Sequence, residues 1–243
     1  MNNALDLEFF NDTIMKKEKR FWVLPLLMGV ILLLIYSCEK KEESDPVTDA
    51  DGNIYNTVTI GTQTWMAENL KTTKYRNGDL IGTTTPATLD ITSESSPKYQ
   101  WAYGGSESNV AAYGKLYTWH SATDSRNVCP VGWHLPTDTE WTTLTAYLGG
   151  ATVAGGKLKE TANTHWLSPN TGATNEKNFT ALPGGYRNQN GEFTGIGSSG
   201  YWWSSTENTT ISSWNRTMSY GTSEVGRDGS YEANGFAVRC VKD

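Results

Sequence analysis

Beyond residue 45 the chain consists mostly of short segments in which apolar and polar residues alternate. The alternation over 54–60 (Ile-Tyr-Asn-Thr-Val-Thr-Ile) predicts a half-buried strand, and the turn residues 61–63 fold it into a hairpin with 64–67. Asn190-Gly191 is typical of the turn of a second hairpin. The same pattern predicts three later strands, over 201–205, 213–218 and 235–241. It therefore indicates a sheet-rich domain.

The strongest helical signal lies in the middle of the chain. Thr137 can cap a helix, and Glu140 three residues later completes a capping box. Apolar residues that share one face of this helix are Trp141, Leu144 and Leu148. Gly149-Gly150 is expected to end it. A weaker, short helix is predicted over 156–161, and the Thr- and Ser-rich segment 82–97 is expected to be a long polar loop.

A separate, continuous apolar run lies over 21–36, directly after a basic cluster. It is shorter than the roughly 20 apolar residues of a bilayer span. A basic segment, an apolar run and a small residue predict a signal peptide over 1–37, with Met15 as the expected true start. Cys38 ends an Ile-Tyr-Ser-Cys stretch that resembles a bacterial lipobox, so we expect Cys38 to carry lipid and 38–48 to form a solvated tether. An uncleaved single-pass anchor is the alternative.

The composition narrows the class of protein. Lys and Arg number 20 against 26 Asp and Glu, and this net charge of −6 argues against nucleic-acid binding, which needs a basic surface. Ten Trp, twelve Tyr and 24 Gly favour short strands and many turns over a helical bundle. No linker divides the chain after the tether, so we expect a single domain over 49–243.

The cysteines agree with export. If Cys38 carries lipid, Cys129 and Cys240 remain as a pair, and two cysteines in an exported domain form a disulfide more often than a metal site. Closing a loop of about 110 residues would stabilise the fold by about 4 kcal/mol. Two buried free thiols are the alternative.

Several short phrases of the domain occur in an order that is typical of a known family. They are VTIGTQTWMAENL (58–70), YGKLYTW (113–119), CPVGWHLPT (129–137), GGYR (184–187), YWWSS (201–205) and GFAVRCVKD (235–243). Together they resemble the Fibrobacter succinogenes major paralogous domain, a family of exported bacterial proteins. The resemblance covers nearly all of 49–243 and implies a place in the cell envelope, but it leaves the biochemical role open.

Two broader resemblances bear on the fold. LPTDTEW (135–141) and the final strand are similar to segments of the formylglycine-generating enzyme group, and CPVGW (129–133) is similar to the opening of C-type lectin-like domains. Both groups imply an α+β architecture in which the two termini meet in one sheet. A disulfide from near a helix to the last strand suits that layout, and Cys129 with Cys240 would supply it. We therefore expect a C-type-lectin-like α+β domain with antiparallel strands, few short helices and many loops.

Catalytic and metal-binding patterns are weak in this chain. Once two cysteines are paired and the third carries lipid, no thiol is left for the oxidation chemistry of formylglycine-generating enzymes. The three histidines, His120, His134 and His165, lack a zinc-binding spacing. Trp214-Asn215-Arg216 puts a cation where calcium-dependent lectins carry a carboxylate, which argues against that calcium site. Taken together, these patterns lead us to expect no catalytic residue, metal or cofactor. Acids of the last third that a glycosidase could use are Glu192, Glu207, Glu224, Asp228 and Glu232.

Binding is the function that this residue content favours. Aromatic faces stack on sugar rings or peptide side chains, while Asn, Arg and Glu orient polar groups. The residues predicted to contact a ligand are Tyr186, Arg187, Trp202, Trp203, Asn215, Arg216 and Arg227. We expect a non-catalytic module for glycan or protein ligands, lipid-anchored in the cell envelope, in the outer membrane and at the cell surface. The alternatives are a carbohydrate-active or other envelope enzyme that uses the acids of the last third, and a structural envelope protein.

Overall fold

A computed structural model describes residues 46–243, so the predicted signal peptide, Cys38 and most of the tether lie outside the described residues. The strands are β1 (Val47–Thr48), β2 (Ile54–Tyr55), β3 (Thr57–Ile60), β4 (Gln63–Met66), β5 (Gln100–Trp101), β6 (Leu116–Tyr117), β7 (Trp133–His134), β8 (Gly184–Arg187), β9 (Phe193–Ile196), β10 (Ser199–Thr209), β11 (Ser212–Ser219), β12 (Val225–Tyr231), β13 (Phe236–Ala237) and β14 (Val241–Lys242). The α-helices are α1 (Val110–Tyr113), α2 (Trp119–Ala122), α3 (Asp138–Tyr147) and α4 (Ala151–Leu158), and two 3-10 turns cover Tyr103–Gly105 and Glu107–Asn109. Among the described residues, no helix combines the length and apolar character needed to cross a membrane.

A four-stranded sheet joins the beginning and the end of the domain. Its order is β3-β4-β14-β7, and Val241 in β14 pairs with Trp65 in β4 and with His134 in β7. The predicted hairpin is confirmed, because β3 and β4 pair antiparallel from Thr57 with Met66 to Ile60 with Gln63. The predicted strand over 54–60 is interrupted at Asn56, since β2 pairs with β1 instead. The mixture of sheets and short helices confirms the α+β class.

The larger sheet has eight strands and carries the last third of the chain. Its main path runs β12-β11-β10-β13-β6-β5, and β8 and β9 branch from β10. Strand β12 was not predicted, because Gly226 and Gly229 weaken the strand signal, yet it pairs with β11 along its whole length. The predicted strand over 235–241 is two strands that lie in different sheets, β13 and β14, because the chain crosses between the sheets at 238–240.

Helices α3 and α4 pack with Trp202 on one face of β10, whereas α2 packs with Trp203 on the other. The predicted capping box is present, with the Thr137 side chain accepting from the backbone N–H of Glu140 and the Glu140 side chain accepting from that of Thr137. The predicted apolar face of α3 and its C-cap is buried at Trp141, Leu144 and Leu148, and Thr145 is buried beside it. The weaker helix begins at Ala151, not at residue 156. Positions 155 and 156 of this helix need glycine, because a Cβ there would overlap the backbone oxygens of Glu224 and Gly172.

Two hydrophobic clusters fill the space on the opposite faces of β10. Trp202 packs in one of them with Trp65 and Trp141, and Trp203 packs in the other with Phe236 and the two cysteines. Cys129 and Cys240 form the predicted disulfide, with Cα atoms 6.0 Å apart and no exposed surface. The covalent bond therefore ties the last strand to the segment that precedes β7.

A buried polar network links the two sheets at the point where the chain crosses between them. The guanidinium of Arg239 is fully buried and donates to Oδ1 of Asn69 through Nε and Nη2, at 3.1 and 2.8 Å, and to the carbonyl of Phe179. Trp202 donates its indole N–H to the same Oδ1 at 2.8 Å. Burial lowers the pKa of Arg239 to about 9, against the opposing charge of Glu68. No carboxylate contacts the guanidinium among the described residues, so Asn69 is its main side-chain partner.

His134 connects the end of the chain to the start of α3. Its Nδ1 lies 2.6 Å from Oδ1 of Asp243, and its Nε2 lies 2.8 Å from Oε1 of Glu140. Both partners are carboxylates, so both bonds are made at once only when the ring is a protonated imidazolium. Partial burial works to lower the pKa of His134, but the bonds to Asp243 and Glu140 outweigh it and raise that pKa above 6.5.

We expect this contact to make the fold less stable in mild alkali. A folded-state pKa above the unfolded value of 6.5 means that the stabilisation is complete below pH 6.5 and is lost as pH rises through the folded pKa. The effect is modest because a third of the side chain is exposed. Thermal unfolding between pH 5 and pH 9 should show a fall in Tm for the wild type that is smaller in His134→Gln. An identical pH profile in both proteins would contradict this prediction.

Candidate functional site

The adjacent tryptophans predicted to contact a ligand are both core residues. As expected for neighbours in a strand, they point to opposite faces of β10, and neither Trp202 nor Trp203 has exposed surface. Each indole N–H is satisfied internally, Trp202 by Asn69 Oδ1 and Trp203 by the carbonyl of Tyr117 at 2.7 Å. A side chain without exposed surface offers no contact to an external ligand in this conformation.

Arg216 and Arg227 hold the sheet to the first turn of α3. Arg216 is buried and donates to Oδ1 of Asp138 at 2.8 Å, while Arg227 donates to both carboxylate oxygens of Asp138 at 2.9 Å. Burial works to raise the pKa of Asp138, but the bonds from Arg227 and Arg216 outweigh it and lower that pKa. The partly exposed guanidinium of Arg227 also stacks at 3.4 Å on the ring of Trp214. These contacts account for both arginines structurally.

Asn215 and Arg187 are also buried. Asn215 donates from Nδ2 to the hydroxyl of Ser230 at 2.9 Å and to the carbonyl of Asp228 at 2.8 Å. Arg187 has no exposed surface and donates to the carbonyls of Ala87, Asn188 and Leu89. Burial lowers the pKa of Arg187 to about 10, against the charge of Asp90. Asn215 therefore holds β12, and Arg187 holds the loop that contains Ala87 and Leu89.

Tyr186 is the one half-buried aromatic of the predicted set, and its ring packs 4.7 Å from that of Tyr201. The cross-strand pairs show that the set is divided between the two faces of the sheet. Trp202 pairs with Arg216, whereas Trp203 pairs with Asn215 one position along. The seven residues therefore do not converge on one surface, and their role in ligand contact stays a prediction.

An open groove of about 400 Å³ lies in the last third, between the turn that joins β10 to β11 and the end of β12. It is lined by Thr209, Ile211, Ser212, Gly229, Ser230, Tyr231 and Asn234. Tyr231 is 53% exposed and Ile211 is 62% exposed, so an aromatic ring and an aliphatic side chain are both available to a ligand. None of the seven lining residues carries a charge.

The polar groups of the groove are held in place by internal hydrogen bonds. The hydroxyls of Thr209 and Ser212 lie 2.7 Å apart, and Asn215 fixes the hydroxyl of Ser230. Asn234 Oδ1 accepts from the backbone N–H of Gln189 at 3.0 Å. The arrangement combines one exposed aromatic face with several oriented neutral donors and acceptors, which is the composition of adaptable polar binding surfaces.

The acids that an enzyme could use are differently placed. Glu232 is buried, accepts from Ser213 Oγ at 2.8 Å, and lies 3.3 Å from His120 Nε2. Those with exposed side chains are Glu192, Glu207, Glu224 and Asp228. Within residues 46–243, no group of three or more His, Cys, Asp or Glu side chains is arranged to hold a metal ion.

Sequence reasoning missed the groove because it missed β12. Without that strand, Tyr231 has no predicted neighbour, although it pairs directly with Ser212. The Asn234-Gly235 dipeptide, a turn signal, could have indicated a chain reversal beside Tyr231.

Comparison with known proteins identifies one family. The family model described as Fibrobacter succinogenes major domain matches residues 58–242. This confirms the resemblance carried by the sequence motifs. No curated protein and no solved structure gives a significant match.

Proposed function

The chain belongs to the Fibrobacter succinogenes major domain family, and on that premise we propose that it is an exported, lipid-anchored, non-catalytic module that binds neutral glycans. We also propose that its α+β architecture is C-type-lectin-like. Two features support that assignment: the first hairpin and the last strand share a sheet, and the disulfide ties that last strand to the segment before α3.

The uncharged groove beside Tyr231 carries the proposal of glycan binding. Sugars present apolar C–H faces together with hydroxyls that both donate and accept, so they match an exposed aromatic ring flanked by hydroxyls and amides. Ile211 extends the apolar part, and Thr209, Ser212 and Ser230 supply hydroxyls. The lack of charge in the lining favours neutral glycans over acidic ones.

The placement of the acids supports a non-catalytic role. A glycosidase needs two carboxylates that flank one sugar-binding cleft. The groove lining contains no carboxylate, and the neighbouring Glu232 is occupied by Ser213 and by the ring of His120. An enzyme that uses Glu207 or Glu224 remains the alternative.

Replacing Tyr231 should remove most of the binding. Truncation of a central aromatic contact costs at least about 2 kcal/mol, so Tyr231→Ala should weaken glycan affinity by at least about thirtyfold. The measurement is a glycan array followed by calorimetric titration of the best neutral glycan. Tyr147→Ala is the matched control, because Tyr147 is equally exposed, at 58%, but lies on α3. Equal affinities for the wild type and Tyr231→Ala would refute the groove as the binding site.

The lipid anchor is tested at Cys38. In a bacterial host fed an alkyne-labelled fatty acid, the wild type should acquire the label and Cys38→Ser should not. A Cys129→Ala/Cys240→Ala double variant should keep the label, because it retains Cys38, the proposed acylation site. An unlabelled wild type would contradict the proposal and favour an uncleaved anchor, and equal labelling of Cys38→Ser would place the acyl group on another residue.

A further inference from the structure

A second pocket, far from the groove in sequence, lies under the polar loop that precedes β5. Its volume is about 260 Å³. The loop residues Thr83, Thr85 and Ala87 form one wall, and Gln100, Trp101 and Glu107 form the other. This volume lies just below the range of about 300–1,000 Å³ that encloses drug-sized ligands. The pocket therefore suits a single ring with its substituents, not an extended chain.

Gln100 gives the pocket an unused polar group. The residue is 6% exposed, and its Oε1 has no hydrogen-bond partner anywhere in residues 46–243. A buried acceptor without a partner is costly and needs an explanation. The terminal amide torsion of glutamine is broad, so Oε1 can turn toward the pocket without breaking a bond. A hydroxyl group that enters the pocket would supply the missing donor.

The charges at the pocket cancel. Glu107 is the charged residue of the lining, and its carboxylate is paired with Nζ of Lys115 at 3.0 Å. Lys115 is buried, whereas the side chain of Glu107 is 75% exposed, so the paired carboxylate lies at the open rim of the pocket. The remaining lining groups near Gln100 are threonine hydroxyls and apolar side chains. This combination favours a neutral, hydroxyl-rich ligand over an ion.

Arg187 stiffens the pocket from behind. Its guanidinium lies 4.1 Å from the ring of Trp101 and donates to the carbonyl of Ala87 at 2.9 Å, so it ties together residues from both walls. The indole N–H of Trp101 donates to Thr84 Oγ1 at 2.8 Å, which fixes the loop a second time. The walls are therefore preorganised, so the free-energy cost of ordering them when a ligand binds is small.

We propose that this pocket is a second binding site, which takes one neutral sugar ring. One ring hydroxyl donates to Gln100 Oε1, and the threonine hydroxyls of the loop form hydrogen bonds with the adjacent ring hydroxyls. The site does not depend on the groove, since the two share no lining residue. A monosaccharide is enough to fill it, whereas an open groove gains affinity from longer chains.

The test is saturation-transfer NMR on the full-length protein in a detergent without a sugar headgroup. The probes are millimolar methyl glycosides of glucose, galactose, mannose and N-acetylglucosamine, with butylammonium as the cationic comparison. We expect at least one glycoside to bind. Gln100→Leu should weaken it about three- to tenfold, the effect of one lost hydrogen bond. This variant should also keep the wild-type Tm, because it removes an unsatisfied group.

A second variant closes the pocket from its exposed rim. Thr83→Trp should abolish the glycoside signal, whereas Thr92→Trp, on an exposed threonine outside the lining, should keep it. Tyr231→Ala should also keep it, which separates this site from the groove. The inference is overturned if no glycoside binds, if Gln100→Leu and Thr83→Trp bind as well as the wild type, or if butylammonium binds in place of the glycosides.

Discussion

Asn69→Leu is expected to destabilise the protein by about 3–5 kcal/mol, the cost typical of leaving a buried charge without its partner. The variant removes the oxygen that accepts from Arg239 twice and from Trp202 once. Arg239 is 1% exposed, so water has almost no access to replace that acceptor. Equilibrium denaturation in urea measures the change as a shift of the midpoint.

Two further variants separate a lost partner from a lost volume. Asn69→Asp keeps the acceptor oxygen and adds a countercharge, so it should be more stable than Asn69→Leu. The double variant Asn69→Leu/Arg239→Met removes the stranded cation and should also be more stable than Asn69→Leu alone, because an apolar replacement of a buried ionic group is often tolerated. The account of Arg239 would be contradicted by an Asn69→Leu variant that unfolds within about 1 kcal/mol of the wild type, a typical surface effect.

Removing the disulfide should cost about 4 kcal/mol. Cys129 and Cys240 are 111 residues apart, and a cross-link over so long a loop strongly restricts the unfolded chain. We expect Cys129→Ala/Cys240→Ala to unfold at a much lower urea concentration than the oxidised wild type. Dithiothreitol should lower the wild type to the level of the variant and leave the variant unchanged. Equal stability with and without reductant would mean that the cross-link contributes nothing.

The parts of the fold that could be predicted from the sequence rest on local signals. The capping box needs only Thr137 and Glu140, and the first hairpin needs only the alternation around residues 61–63. The disulfide could be predicted because the lipobox-like stretch assigns the third cysteine, Cys38, to the expected lipid anchor and leaves Cys129 and Cys240 as a pair. The split of 235–241 could not, because the residue pattern runs unbroken from β13 to β14 and only their pairing with distant strands of different sheets separates them.

The candidate site was less predictable, for a physical reason. Alternation along β10 shows that Trp202 and Trp203 face opposite ways, but it does not show which face is covered. Helix α3 and the disulfide segment cover one face each, so both rings are buried. The exposed ring belongs to Tyr231, on a strand whose glycines hide its pattern. Exposure depends on contacts between distant segments, which no local window contains.

Retention of glycans followed by mass spectrometry tests the proposed function most directly. The full-length protein is solubilised in detergent, immobilised on a resin and incubated with a mixture of neutral oligosaccharides. The masses of the retained and unretained oligosaccharides are then measured by mass spectrometry. The account predicts that one or more neutral oligosaccharides are retained, that they are recovered at their original mass, and that Tyr231→Ala retains far less. Recovery of shortened products that disappear in Glu207→Gln or Glu224→Gln, or no retention at all, would contradict it.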